Sequence, residues 1–236
     1  MKLITILIAV AAACLLVTGC VFVKIKDSGT FSSGSVAGNG IITEKTFDVG
    51  DFSRVEMSVP ADVTYSVSET PSVLVRVDEN LMEKITVSQV GDVLKIKSTD
   101  KSFRNFKKLE IELSSSSLTA LECNGAVDFN TVGTLSSESF ALTCNGAADV
   151  EMKDLDARNV SFEVNGAGDI DVHLVDADVV SLEISGAGDA TLTGKAREAR
   201  VEINGAGDVD LSGLDYESLS KKVNGMGSVK TARKAR

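Results

Sequence analysis

The chain has no tryptophan, two prolines, one histidine and four cysteines, against twenty glycines in 236 residues. That balance argues against a helical bundle and for an all-β repeat with tight corners. No stretch carries an apolar stripe of helical period long enough for a crossover helix. Positive charge is also scarce, with 24 Lys and Arg against 34 Asp and Glu and a net charge of −10. Such a surface repels a phosphate backbone, so nucleic acid is excluded as a partner. The basic residues that do cluster stand at the end, from Lys230 to Arg236. That segment reads as a solvated tail, with acidic headgroups or the acidic body as weaker alternatives for its contact.

The N-terminus is different in kind. A lysine at position 2, an apolar run from Leu3 to Val17 and small residues before Cys20 describe a secretory signal. The run is short for a membrane span, which needs about twenty apolar residues. Val17-Thr18-Gly19-Cys20 resembles a bacterial lipobox, making Cys20 the expected lipidation site. Each acyl methylene adds about 0.8 kcal/mol of membrane affinity, so several chains make a stable anchor. Val21 stands where an aspartate would favour the inner membrane, which points to an outer-membrane lipoprotein of the cell envelope, its leaflet left open. The expected divisions are 1–19 as signal peptide, 20–40 as lipidated Cys and flexible tether, and 232–236 as basic tail. Between them, 41–113 is read as degenerate β rungs and a cap, and 114–231 as regular repeats.

Those repeats dominate the chain. Asn124-Gly125, Asn145-Gly146, Asn165-Gly166, Ser185-Gly186, Asn204-Gly205 and Asn224-Gly225 recur at steps of 21, 20, 20, 19 and 20 residues. Around each, apolar and polar residues alternate with period two, as in Leu142 and Cys144 before it and Val150 and Met152 after it. The pattern predicts an all-β parallel helix with three short strands and three corners per rung of about twenty residues. Equivalent strands should stack about 4.8 Å apart. The glycines are expected at positive φ, and the asparagines should pass amide hydrogen bonds along a turn column. A hairpin at Asn-Gly fits poorly, because no complementary return strand follows. Upstream, the alternation persists without the repeat, Gly91-Asp92 reads as a turn, and Lys101 to Lys108 reads as a loop.

With Phe52-Ser53-Arg54-Val55-Glu56-Met57-Ser58-Val59-Pro60-Ala61-Asp62-Val63, Gly91-Asp92-Val93-Leu94-Lys95-Ile96 and the serial Asn-Gly-Ala-Gly-Asp phrases, the chain resembles the putative auto-transporter adhesins with a head GIN domain. The resemblance covers roughly residues 45–230. It implies a right-handed β-helix exported to a Gram-negative envelope, with no recognised catalytic residues. The last rung departs from the pattern at Met226 and Ser228, as a capping rung would.

Three constellations bear on chemistry. Asp128, Asp149, Asp169, Asp189 and Asp208 should form a column, stabilised by backbone N–H groups of their own turns. A row of calcium ions is the sharper alternative, although the period of twenty and the missing second loop differ from calcium-binding nonapeptide repeats. Cys123 and Cys144 occupy one inward column and are read as buried free thiols, a disulfide being the alternative that an exported setting permits. His173 lies in sequence near Asp171, Asp176 and Asp178 and reads as a solvated corner rather than a metal ligand. Polysaccharide lyases also use parallel β-helices, but Arg158, Arg197 and Arg200 show no convergence with the evenly spaced acids. The expectation is a non-catalytic envelope lipoprotein without a cofactor, an adhesin or recognition module meeting glycan or protein on its β-helix faces. A structural or signalling component binding another envelope protein is the second reading, and the exposed ends of a solenoid allow a homo-oligomer.

Overall fold

A computed structural model describes residues 35–99 and 102–232. The signal segment, Cys20 and residues 233–236 of the basic tail lie outside them. Within the described chain, stacked parallel strands form a β-solenoid of about six turns spaced by ~20 residues.

The regular rungs follow from the alternation. Leu121, Leu142, Phe162, Leu182 and Val201 fall in one register column, and Phe129, Val150, Ile170, Ala190 and Val209 in another. All ten are buried. Full burial of a large aliphatic or aromatic side chain stabilises by about 1.5–3 kcal/mol. A single rung could close neither column, so each turn is stable only on its neighbours.

The three strand segments expected in each rung are not separated by loops. Ala147–Val164, Ala167–Ile184 and Ala206–Val223 each run 18 residues from one Asn-Gly or Ser-Gly corner to the next. Their other bends are absorbed inside the ladder, with register shifts such as those between Met152 and Leu155 and between Leu155 and Asn159. Bulges let a strand turn without leaving its partners. Nor are the corner glycines in the left-handed region. Among the described residues, positive φ occurs in glycine only at Gly40, Gly91, Gly133 and Gly194. The corner needs glycine because the rungs touch there: a Cβ on Gly166 would fall against the Gly146 carbonyl oxygen and 2.7 Å from that of Asn145.

The N-terminal third is threaded out of order. Arg54–Ser58 and Ala61–Val67 make a rung that is paired on both sides. On one side lie Val93–Ser98 and Leu109–Ser115, and on the other the first regular rung, Ala120–Cys123 with Ala126–Val132. Outside this stack the pairing becomes antiparallel. Ser72–Asp78 covers Leu109–Ser115, Ile42–Phe47 covers Ser72–Asp78, and Ile85–Val90 returns on Val93–Ser98 through Gly91 at φ 62°. Such strands close the end of a parallel stack with a change of direction.

Two segments read as loop or tether are ordered pieces of this cap. Ser35–Ala37 pairs in parallel with Ser102–Arg104, and the Phe103 side chain joins the core. Asp78 fastens them. Its fully buried carboxylate accepts the backbone N–H groups of Gly40 and, at 2.8 Å, Lys107. Burial pushes this carboxyl up, but backbone N–H groups of Lys107, Gly40 and Lys108 together outweigh that and hold it below its ordinary value.

Candidate functional site

The outward positions following the corners at Asn124, Asn145, Asn165 and Ser185 form an open groove of about 560 Å³ along the solenoid. Asp128, Asp149 and Asp169 stand in register on its floor, with Asp189 beside them in the next rung. Two positions on, Asn130, Glu151, Asp171 and Thr191 form a parallel row. Strand alternation puts both rows on one face, and the repeat carries each residue type up the axis.

The acidic column is longer than the repeated phrase indicates. Asp62 pairs in register with Asp128, and Glu110 with Asp62. The signal was available: Ala61-Asp62-Val63 repeats Ala148-Asp149-Val150 without an Asn-Gly ahead of it. Ser228 closes the column in register with Asp208.

The backbone bonds that steady this column come from the following rung, not from the same turn. Asp189 N–H donates to Asp169 Oδ1 at 3.0 Å, Asp208 N–H to Asp189 Oδ1 at 2.7 Å, and Ser228 N–H to Asp208 Oδ1 at 2.8 Å. Hydrogen bonds to ionised acceptors are stronger than neutral ones, so stacking neutralises part of the repulsion. Partial burial, then the charges of Asp149 and Asp62, raises the Asp128 carboxyl above its ordinary value. At the other end Lys230, with Ser212, holds the Asp210 carboxyl down at about 2. Among the described residues, no group of three or more His, Cys, Asp or Glu is placed to hold a metal ion.

The asparagine column is an amide ladder. Asn145 Nδ2 donates to Asn124 Oδ1 at 2.9 Å, Asn165 to Asn145 at 3.1 Å and Asn224 to Asn204 at 2.7 Å. Ser185 interrupts it, and Asn204 Nδ2 turns to Glu183 at 3.4 Å. Gly125, Gly146, Gly166, Gly186, Gly205 and Gly225 follow these residues at the close approach between rungs.

Cys123 and Cys144 are adjacent in register, both buried and both free thiols. Cys144 Sγ donates weakly to the Ala167 carbonyl at 3.5 Å. Burial, and secondarily Cys144 and Glu122, pushes the Cys123 thiol up to about 12, so neither nucleophilic nor metal chemistry suits it.

His173 is exposed on the strand Ala167–Ile184, Nδ1 lying 3.0 Å from Thr193 Oγ1. Its sequence neighbour Asp178 serves Arg197 at 3.3 Å and Arg158 at 3.9 Å instead, while Arg158 also reaches Glu138. Arg200 is engaged by Glu198 at 2.8 Å. These arginines thus lie in surface charge ladders, and none lines the acidic groove among the described residues.

Comparison with known proteins gives the same architecture. A putative adhesin from Bacteroides fragilis superposes with a TM-score of 0.70 at 17% identity, covering 84% of this chain and all of the other. One from Parabacteroides distasonis gives 0.67 at 25% identity, over 83% and 84% of the two chains. A putative lipid binding protein from Parabacteroides distasonis gives 0.55 at 19% identity, over 85% and 100%. No curated protein matches. The family described as "Putative auto-transporter adhesin, head GIN domain" matches residues 51–173 and 158–235. On those two overlapping matches, which together take in the whole solenoid, the chain belongs to that family.

Proposed function

We propose that this protein is a non-catalytic recognition module, tethered to the outer membrane of the cell envelope through a lipid on Cys20. Its ligand surface is the polar face of the solenoid. The observation that carries this reading is the groove along Asp128, Asp149, Asp169 and Asp189, an even row of carboxylates without a convergent acid–base pair. Acid–base catalysis needs groups in unlike environments facing one reacting atom. A repeated row instead offers the same contacts every rung, which suits an extended glycan or protein surface. Membership in a family described as adhesins supports the same assignment.

The test has two parts. Protease is applied to intact cells carrying the wild-type chain or Cys20→Ala. Digestion of the anchored body without lysis is expected, with Cys20→Ala released from the membrane. Protection until the outer membrane is opened would refute adhesion to external surfaces. Purified chain is then screened on glycan and host-protein arrays, and Asp149→Asn with Asp169→Asn is expected to abolish the hits. Hits that persist in this variant would remove the groove from the reading.

A further inference from the structure

The two ends of the solenoid are finished differently. At the N-terminal end, antiparallel strands cover the stack. At the other end, the second half of Ala206–Val223 and the strand Met226–Thr231 pair only with the preceding rung among the described residues. Their second edges offer a row of unpaired N–H and C=O groups, the arrangement that accepts another strand. Val223 is 42% exposed and Met226 79%, so apolar surface stands beside the open edge.

Charge changes sign at this rung. The outward column Glu163, Glu183, Glu202 ends in Lys222, and the column Asp171, Thr191, Asp210 ends in Lys230. Both lysines pair back to the body, Lys222 to Glu202 and Lys230 to Asp210, each at 2.7 Å. The inward column Leu182, Val201 ends in Lys221, which is exposed and has no ion-pair partner among the described residues. Three cations therefore rim an edge on a chain of net charge −10. Each of the two paired lysines has an acid on one side only.

We propose that the C-terminal end is an acceptor site for an extended acidic segment of a partner protein, bound by strand addition as a further rung. Its strands would lie on either side of the corner, with acids opposite Lys222 and Lys230. A carboxylate there puts each lysine between two acids, as the body already does on one side, and a third acid reaches Lys221. A second copy docked symmetrically through the same end would bring two lysine-rimmed edges together, and like-charge contact disfavours it. This inference does not depend on the adhesin reading.

The probe is a synthetic peptide of this chain's residues 198–213, which carries Glu202 and Asp210 eight apart across a corner. Binding to the full chain is measured by fluorescence anisotropy, with a second peptide bearing Glu202→Lys and Asp210→Lys. The acidic peptide is expected to bind, and the reversed peptide at least about tenfold more weakly. The chain variant Lys222→Glu with Lys230→Glu should invert that preference. The two-peptide comparison on the unaltered chain needs no variant, so loosening of the last rung cannot mimic the result. No binding at millimolar acidic peptide, equal binding of both peptides, or a dimer that the acidic peptide fails to dissociate would each overturn the proposal.

Discussion

Replacing Gly166 by alanine separates two explanations of the corner. Its φ lies outside the left-handed region, so with free space above it alanine would stabilise by about 0.4–1 kcal/mol through the unfolded chain. The space is not free. The new Cβ would press on the Gly146 carbonyl oxygen and come within 2.7 Å of Asn145 O and 2.8 Å of Asn145 C, all backbone atoms. These atoms are held by the ladder between rungs, with Gly166 N–H bonded to Cys144 O at 3.0 Å and Ala167 N–H to Gly146 O at 2.9 Å. Relief would have to pry apart stacked strands, so the cost is put at the upper end of overpacking, about 3 kcal/mol. In a domain of this size each kcal/mol moves Tm by about 2–4 °C, giving a fall of about 6–12 °C in a far-UV circular dichroism melt. Gly91 is the control, with φ 62° and nothing within 4 Å of the place a Cβ would take. There alanine should cost about 1–2 kcal/mol and asparagine less. At Gly166 asparagine should be at least as harmful as alanine. An alanine variant within about 2 °C of the parent, a single kcal/mol at most, would refute the steric account. So would an asparagine variant more stable than the alanine one.

Thr131 is 4% exposed, and its Oγ1 is a buried oxygen without a hydrogen-bond partner among the described residues. Thr131→Val should therefore raise stability by about 1 kcal/mol in urea titration, and any loss would argue for a hidden partner. Ser185→Asn should complete the amide ladder and add about 0.5 kcal/mol, with a neutral or negative change counting against the ladder as a stabilising element. Because the folded Asp78 carboxyl lies below its ordinary 3.8, its stabilising contribution is present above that pH and is lost as pH falls through the folded value. Asp78→Asn should cost about 2–3 kcal/mol at pH 7 and flatten the acid limb of the stability profile; an unchanged limb would assign acid unfolding elsewhere. Cys123 and Cys144 should resist a thiol reagent at about pH 8 until denaturant is added, and prompt labelling of the native chain would contradict their burial.

The regular half of the fold was legible because stacking copies one rung onto the next. Once Leu142, Phe162 and Leu182 share a column, register follows from counting. The same logic hid the reason for the corner glycines, since a contact between rungs leaves no mark in the residue before or after it. The cap was hidden for a different reason. Strands 72–78 and 109–115 alternate like any other, and alternation does not distinguish parallel from antiparallel partners. Phe103, read as part of a loop, enters the core because Ser35–Ala37 supplies a partner from residues that look like tether. On the candidate groove, the aspartates from Asp128 to Asp208 were readable by period. Asp62 was missed because its rung lacks the Asn-Gly marker, and the lysines of the last rung gain their meaning only from the columns they end.

The out-of-order rung also fixes where this protein can change length. Arg54–Val67 is clasped between Val93–Ser115 and Ala120–Val132, so neither neighbour can be duplicated or deleted without unthreading the other. A unit copied between Asn145 and Asn204 meets no such obstacle, because each turn there contacts only the turns before and after it. Gene duplication thus has one permissive stretch and one frozen one. Longer or shorter kin should differ by whole multiples of about twenty residues on the C-terminal side, while the clasp keeps a constant span.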